Sequence, residues 1–305
     1  MNYLISKDKF EEIYEFSKIE ELFDMFAHWN NDLNLEGFIF RGHGKEEYKL
    51  IPNSLREDNK EKLWKISPLK KDEYRHETEN AQISVEYSIL REFYKHSDFK
   101  GLKVPKSKFL RENLHKNLSS DHINHFNVDK WIHNDLLEIT SLAQHYGIPT
   151  RLLDWTYDPY IAFYFAFHDV IKEKNIDGNL VIFALNKEYL SMFSKPNMNI
   201  QFITPHYSEN PNLNAQKGLF CHWKTYKIGD SYKNKPINRT PLDEFIKNEF
   251  NNMKPKALIF KKFVISRSEA KRGCQILDKM GYDSGNVFPG YSGIAKFILE
   301  KHKYK

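Results

Sequence analysis

The sequence is poor in cysteine: Cys221 and Cys274 are the only two among 305 residues. Two thiols so far apart supply neither a disulfide framework nor a four-thiolate zinc site, and sparse cysteine suits a reducing compartment. The chain also lacks an apolar run near the ~20 residues that a membrane-spanning helix needs. Its first residues have no apolar core or cleavage site typical of a signal peptide. We therefore expect a soluble, cytoplasmic protein without a membrane partner.

Several catalytic and cofactor motifs are missing as well. The sequence contains no Gly-x-Gly-x-x-Gly dinucleotide loop after a predicted strand, no Gly-x4-Gly-Lys-Ser/Thr phosphate loop, no Gly-x-Ser-x-Gly elbow and no His-Glu-x-x-His zinc motif. Cys221 and His222 are adjacent, and adjacent strand residues face opposite sides, so they are not expected to form a dyad. His122 and His125, with His133 nearby, lack further ligand types, and we expect no metal site.

Composition favours a globular protein of mild charge. Hydrophobic residues form 40% of the chain and aromatic residues 15%, which is enough for a core and argues against disorder. The net charge of +5 is spread among interspersed acidic and basic residues, so it predicts no nucleic-acid partner by itself. Residues 100–116 are locally basic. Such a run is typical of a solvated helix face, and contact with a nucleic acid or another acidic partner is the alternative.

Hydrophobic spacing predicts an α+β fold with a central mixed or antiparallel sheet. Between its early and later strands, residues of about 57–142 read as a charged, helical insertion, and the long gap argues against a simple alternating βαβ series. No linker or repeat divides the chain, so we expect a single domain over residues 1–305. The predicted strands are residues 12–16, 38–40, 179–185 and 257–265, with one more after residue 218. A capping box at Ser17–Glu20 predicts a helix over residues 18–29.

The segment from Gln144 to Phe167 combines polar groups with a strongly apolar helix. Asp158 can cap this helix and Pro159 suits its first position. Because free N–H groups at a helix N-terminus favour negative charge, the polar cluster that precedes the helix predicts a site for an anionic ligand. The members of that cluster are Arg151, Asp154, Trp155 and Thr156.

Two further polar clusters adjoin glycines, at residues 41–43 and 216–218. Arginine offers a bidentate fork to phosphate, glycine permits close approach to the backbone, and the ring of Trp155 or of a tyrosine can stack on a ligand. The three clusters predict a pocket for a ligand with phosphates and an aromatic ring. The alternative is that Arg41, Arg151 and Asp154 form a buried ion-pair network that ties the helical insertion to the sheet and matters for stability alone.

These motifs resemble those of the FRG domain, which takes its name from Phe-Arg-Gly. The resemblance covers roughly residues 17–298 and departs from the common pattern at His43 and Lys217, where glutamine is frequent. Its residues are Phe40-Arg41-Gly42, Tyr48-x-Leu-x-Pro52, residues 143–156, Pro159, Ala162–Ala166, Ala215-Gln-x-Gly-x-Phe220 and the closing residues 287–293.

The order of the motifs is also similar to that in ADP-ribosyltransferases, which hold NAD between a strand ending in Arg-Gly or His-Gly, a motif before a small-residue helix, and a late Glu or Gln. This resemblance implies an ADP-ribosyltransferase or an NAD glycohydrolase-like enzyme, with NAD as substrate, no metal, and a protein or nucleic acid as acceptor. It implies Arg41, Asp154 and Gln216 as catalytic residues. The residues implied for NAD binding are Arg41, Gly42, Tyr48, Gln144, His145, Arg151, Trp155 and Thr156.

Two other classes of function stay open. A module that senses a nucleotide or phosphate ligand without turnover would use the same arginines and need no acid, and Gln216 is itself not an acid. A nucleic-acid-acting toxin would combine the basic residues 100–116 with the Arg41 pocket, and its affinity would fall steeply with salt. A role as a toxin or phage-defence effector is a further hypothesis from the resemblance.

Overall fold

The structure is a computed structural model that describes residues 3–30, 32–69, 77–113, 131–193, 200–223, 235–250 and 257–305. These residues form an α+β fold around one eight-stranded sheet. The strands are β1 (Leu4–Lys7), β2 (Glu11–Phe16), β3 (Phe38–His43), β4 (Leu153–Thr156), β5 (Asn179–Asn186), β6 (Ile200–Ile203), β7 (Gly218–Trp223) and β8 (Phe260–Ser266). The α-helices are α1 (Ile19–Met25), α2 (Lys60–Ile66), α3 (Glu79–Phe99), α4 (Lys108–Asn113), α5 (Leu137–His145), α6 (Pro159–Val170), α7 (Lys187–Phe193), α8 (Pro211–Ala215), α9 (Leu242–Phe250), α10 (Ala270–Lys279), α11 (Ser284–Val287) and α12 (Tyr291–Glu300).

The sheet is mixed, which confirms the α+β class predicted from the sequence. Its strand order is β1-β2-β8-β5-β3-β4-β7-β6. Strand β2 runs parallel to β8, and the other neighbouring pairs are antiparallel. Strand β5 lies inside the sheet, where it pairs with β8 on one side and β3 on the other over most of its length. Its continuous apolar run is therefore explained by burial on both faces.

The sheet is open at one end between β3 and β4. These two strands pair only at Phe40 and Thr156. Past that position β3 remains paired with β5 as far as His43. Strand β4 remains paired with β7 back to Leu153. The two halves of the sheet thus separate at this end and leave an opening between their strands.

Alternate residues of the strands enter two apolar layers, as the two-residue repeat of a strand requires. On one face, Phe40 of β3 and Phe263 of β8 pack with Phe163 and Phe167 of α6. On the other face, residues such as Ile39 pack in the layer that includes α9. A third cluster joins α3 and α5 to β7. It anchors the helices that follow β3 against the far half of the sheet.

Local boundaries differ from the predicted ones where tertiary contacts intervene. Helix α1 ends at Met25 instead of continuing to residue 29, and its N-cap is Lys18. Glu21 Oε2 accepts the backbone N–H groups of both Ser17 and Lys18. Strand β3 continues beyond residue 40 to His43 because β5 pairs with it there. Strands β1, β4 and β6 were not predicted; each has only four residues, too few to show a clear alternation.

Within the described ranges, none of the helices combines the length and the apolar character needed to cross a membrane.

Candidate functional site

A cleft of about 740 Å³ borders the opening between β3 and β4. Its volume falls in the range of about 300–1,000 Å³ usual for small-molecule pockets. Its walls are formed by the end of β3, by β4, by the start of β7 and by one face of α6. The residues proposed from the sequence that line it are Arg41, Gly42, Tyr48, Gln144, His145, Asp154, Trp155, Thr156 and Gln216.

Arg41 bridges the separated ends of β3 and β4. Its Nη1 donates to the Asp154 carbonyl oxygen at 2.7 Å and lies 3.5 Å from Asp154 Oδ2. The Arg41 side chain is only 16% exposed, whereas that of Asp154 is 58% exposed. Burial lowers the pKa of Arg41, and the Asp154 carboxylate acts in the opposite direction. The guanidinium remains a cation, so the site holds a fixed positive charge beside an accessible carboxylate.

His43 is held in one tautomer by its neighbours. Arg41 Nε donates to His43 Nε2 at 2.8 Å, so Nε2 must carry the lone pair. Nδ1 then carries the proton and donates to the Tyr48 carbonyl oxygen at 3.0 Å. Burial and the positive charge of Arg41 lower the pKa of His43 well below its usual value. A neutral imidazole therefore positions both Arg41 and the segment that carries Tyr48.

The Asp154 carboxylate faces the cleft because Leu153 and Trp155, its neighbours on β4, point into the core. Gln144 Nε2 donates to Asp154 Oδ1 at 2.6 Å. The Gln144 amide oxygen accepts a hydrogen bond from Thr150 Oγ1, which orients the amide. Helix α5 and strand β3 thus converge on the Asp154 carboxylate, which accepts a hydrogen bond from Gln144 and forms an ion pair with Arg41.

Trp155 borders the cleft, but its indole belongs to the core. The residue is 3% exposed, and Nε1 donates to Cys221 Sγ at 3.1 Å. This placement corrects the expectation that Trp155 stacks on a ligand. Cys221 is a core thiol, and burial raises its pKa to about 12. Tyr48 is 42% exposed and lines the cleft, so its ring remains available for stacking.

Gly42 is required by the fold of the site. A Cβ built on Gly42 would lie 2.0 Å from the carbonyl oxygen of Ala162 and 2.9 Å from Cβ of Ala166. Real Cβ atoms do not come so near to a backbone oxygen. The close approach that this glycine permits is that of α6 to β3, where the sequence suggested the approach of a ligand.

The N-terminus of α6 already holds a carboxylate. Asp158 is the N-cap, and its Oδ1 accepts the backbone N–H of Tyr160 at 3.0 Å. Its Oδ2 accepts from Lys217 Nζ at 2.7 Å and from the Tyr282 hydroxyl at 3.0 Å. This finding corrects the expectation that the helix end binds an external anion, because the protein supplies its own. An anionic ligand would instead contact the side chains of the cleft.

Thr156 and Gln216 join the turn before β7 to the end of β4. Thr156 Oγ1 donates to the Gln216 carbonyl oxygen at 2.7 Å, and the Gln216 amide donates to the Val287 carbonyl oxygen at 3.3 Å. His145 is tied to the same wall, with Nε2 at 3.3 Å from Asn212 Nδ2, and burial lowers its pKa. These contacts bring parts of the chain 60 or more residues apart to one rim of the cleft.

Arg151 lies outside the cleft, which corrects its expected contact with a ligand. It is 5% exposed; its Nε donates to Glu86 Oε2 at 2.7 Å, and its Nη1 pairs with Glu79. Burial raises the pKa of Glu79, and Arg151 counteracts this rise. The buried ion-pair network considered as an alternative therefore exists in another form. Its acids are two residues of α3, not Asp154, and Arg41 takes no part in it.

The sequence model of one family, the FRG domain, matches residues 36–175. The chain contains an FRG domain. No curated protein and no solved structure matches the chain.

The FRG domain supplies most of the cleft. The matched residues include β3, β4 and α6, and with them Arg41, Gln144 and Asp154. The match is narrower than the range 17–298 expected from the motifs, so Gln216 and the segment 287–293 lie outside it. Both parts of the chain nevertheless meet at the same cleft, because Gln216 and Phe288 line it.

The sequence patterns did not predict the end of the cleft that lies away from Arg41, which is called the far end below. There the FRG domain contributes Phe165, His168 and Lys172, and residues beyond it contribute Phe288 and Lys296. A sequence signal for part of this wall did exist. The polar His168 follows Phe165 by three residues on an otherwise apolar helix, which places the two on one face, and Lys172 comes two residues after the helix ends at Val170.

Among the residues that the structure describes, no group of three or more His, Cys, Asp or Glu side chains could hold a metal ion. His122 and His125 lie outside the described residues. So do residues 114–116 of the basic run. Within its described part, Arg111 pairs with Asp98 at 3.0 Å and Lys108 with Glu112 at 3.7 Å.

Proposed function

We propose that the cleft binds NAD and that the protein cleaves the bond between nicotinamide and ribose, as an ADP-ribosyltransferase or an NAD glycohydrolase. The observation that carries the proposal is the position of the Asp154 carboxylate, 3.5 Å from the Arg41 guanidinium, in a cleft of about 740 Å³. The guanidinium suits the phosphates of a dinucleotide, and the carboxylate suits a positive charge that develops on the ribose. Both are held by neighbouring side chains before any ligand binds.

Binding of the diphosphate is assigned to the arginines. Arg56 lines the same end of the cleft as Arg41, and its positive charge contributes to the lowered pKa of Arg41. Two guanidinium groups held near one another repel, and a bound diphosphate would relieve this repulsion while accepting their N–H groups. The exposed ring of Tyr48 would stack on the nicotinamide.

We assign cleavage of the nicotinamide–ribose bond to the Asp154 carboxylate and the residues that hold it. The nicotinamide–ribose bond breaks with both electrons moving to the pyridinium nitrogen, which becomes neutral, while C1′ of the ribose becomes oxocarbenium-like. A carboxylate held beside C1′ stabilises that positive charge. Water or an acceptor nucleophile then adds to C1′ and loses its proton. Asp154 suits the role because Gln144 and Arg41 hold its carboxylate in place before the reaction. Gln216 would contact the ribose as a neutral polar group.

An ADP-ribosyltransferase-like fold is part of this proposal. Its support is the order of three elements along the chain: β3 with Arg41-Gly42, β4 immediately before the small-residue helix α6, and Gln216 immediately before β7. These elements meet at one cleft.

The test is incubation of the purified protein with NAD, with nicotinamide followed by chromatography. We expect release by the parent protein and a fall of about 10²–10³-fold in the Asp154→Asn variant, the range for loss of one electrostatic catalytic group. Asp169→Asn is the matched control, since Asp169 is a second carboxylate lining the cleft and should retain activity. Urea unfolding establishes that each variant is folded. Absence of release by the parent protein would reject the cleavage step.

A binding module without turnover is the second candidate. It is favoured because the Asp154 carboxylate already accepts a hydrogen bond from Gln144 and forms an ion pair with Arg41, and because Gln216 is an amide and not an acid. Calorimetric binding of NAD without nicotinamide release would identify this function. The nucleic-acid-acting alternative has less support, because Lys108 and Arg111 of the basic run already pair with acidic side chains.

A further inference from the structure

We infer that the far end of the cleft is a subsite for a phosphorylated ribose, formed by Lys172, Lys296 and His168. The inference rests on the proposed nucleotide binding and deepens it by naming a second phosphate position. This end lies along α6 from the Arg41 end: Gly42 packs against Ala162, the helix continues eight residues further to Val170, and Lys172 follows two residues later. At ~1.5 Å per helical residue the helical part alone spans roughly 12 Å, a length that suits an extended dinucleotide.

The two lysines concentrate positive charge on this wall. Both line the cleft, as does the carboxylate of Asp169, which precedes Lys172 by three residues, so the lysines outnumber the acids at this end. Burial and the charge of Lys172 lower the pKa of Lys296, while Glu300 acts in the opposite direction. The Glu300 carboxylate itself accepts a hydrogen bond from Ser284 Oγ at 3.1 Å. An anion bound between the two ammonium groups would relieve their repulsion.

Lys296 is held at the wall by aromatic rings. Its Nζ lies 4.0 Å from the centroid of the Phe288 ring and 5.8 Å from that of Tyr164. Such cation–π contacts fix the ammonium group without neutralising its charge. The lysine therefore presents a positioned cation to the cleft.

His168 adds a buried acceptor at the same place. It is 3% exposed and stacks on Tyr164 with ring centroids 3.8 Å apart. Its Nδ1 donates to the Tyr164 carbonyl oxygen at 3.0 Å, so in the neutral ring Nε2 carries the lone pair. Burial lowers the pKa of His168 to about 3, which keeps the ring neutral. Within the described residues Nε2 has no hydrogen-bond partner.

Together these groups define the ligand. Two ammonium groups favour the binding of a phosphate. The buried hydrogen-bond acceptor beside them, His168 Nε2, favours a ligand with an O–H donor. A sugar that carries both a phosphate monoester and a free hydroxyl supplies the two in one group. The 2′-phosphorylated adenosine ribose of NADP has this chemistry, and the corresponding ribose of NAD lacks the phosphate.

The experiment measures binding by calorimetry with four probes: ribose, ribose 5-phosphate, NAD and NADP. We expect the parent protein to bind ribose 5-phosphate but not ribose, and to bind NADP about tenfold more tightly than NAD, as a pair of positioned lysines would give. Lys172→Gln combined with Lys296→Gln should abolish both preferences. Lys174→Gln is the matched control, because this exposed lysine does not line the cleft. His168→Phe keeps the stacked ring and should lower affinity for ribose 5-phosphate but not for inorganic phosphate.

The outcomes separate this inference from the proposed function. If ribose 5-phosphate binds in a lysine-dependent way and NAD does not bind, the subsite is supported and the proposed cleavage of NAD is rejected. Equal affinity for NAD and NADP, or unchanged binding in the double lysine variant, would overturn the subsite even for a protein that releases nicotinamide.

Discussion

Gly42 of β3 and Ala162 of α6 touch so closely that a Cβ on the glycine would lie 2.0 Å from the Ala162 carbonyl oxygen. Strand β3 and helix α6 form two walls of the cleft, so this contact sets the distance between them. Because the obstructing atom belongs to the backbone, it cannot rotate away. We expect Gly42→Ala to lower the free energy of unfolding by about 3 kcal/mol or more, the upper range for overpacking. Urea unfolding measures this loss.

The control for Gly42 is Gly101, which has φ of 72° and no atom within 4 Å of a built Cβ. Gly101→Ala should lower the free energy of unfolding by only about 1 kcal/mol, the cost of a side chain at positive φ. Equal losses for the two variants would show that the contact with Ala162 is not the cause.

Arg151 should matter for stability and not for ligand chemistry. Arg151→Met leaves Glu79 and Glu86 buried without their cation, and we expect a loss of about 3–5 kcal/mol. Arg111→Met removes an exposed pair with Asp98 and should cost at most about 1 kcal/mol. Thermal unfolding of the two variants at pH 7 compares them. A small loss in Arg151→Met would contradict the buried network.

Asp158 connects three parts of the chain through one carboxylate. Asp158→Ala removes the cap of α6 and the bonds to Lys217 and Tyr282, and we expect a loss of about 2–3 kcal/mol, above the ~1 kcal/mol typical of a cap alone. Lys217→Met removes only the exposed partner and should cost less than about 1 kcal/mol. Denaturant midpoints of both variants test the difference, and equal midpoints would assign the effect to the ion pair with Lys217.

His222 should make stability depend on pH. Burial and the positive charge of Arg151 lower its pKa from 6.5 to about 3. Between these values the unfolded chain binds a proton that the folded chain does not. The free energy of unfolding therefore falls as pH drops from 6.5 toward 3, by about 1.4 kcal/mol per pH unit for this group. His222→Leu should show a shallower decline below pH 6.5 than the parent protein, measured against their difference at pH 8. Parallel curves would show that folding does not lower the pKa of His222.

Much of the fold could be predicted from local patterns. The apolar runs of β5 and β8 and the capped start of α6 at Asp158 follow from the nearest neighbours in the chain, and the structure has them within a few residues of the predicted positions. Strand β4 could not be predicted, because four residues that alternate between core and cleft have no distinctive pattern. Its identity as a strand depends on pairing with β7, more than sixty residues later.

The sequence predicted which residues form the candidate site better than it predicted what each of them does. Arg41, Asp154 and Gln216 share a cleft, as their chemistry suggested. The partners of Arg151 and the orientation of Trp155 were not predictable, since both depend on side chains brought close only by folding.

The sequence by itself determined the α+β class, the polar clusters beside glycines and the FRG domain, because these depend on residue types and short spacings. Tertiary structure alone decided which clusters face the cleft, which carboxylates neutralise Arg151, and which helix takes the space beside Gly42. Those outcomes depend on contacts between residues far apart in the chain. Local periodicity records which face of an element is apolar, and it carries no information on what will pack against that face.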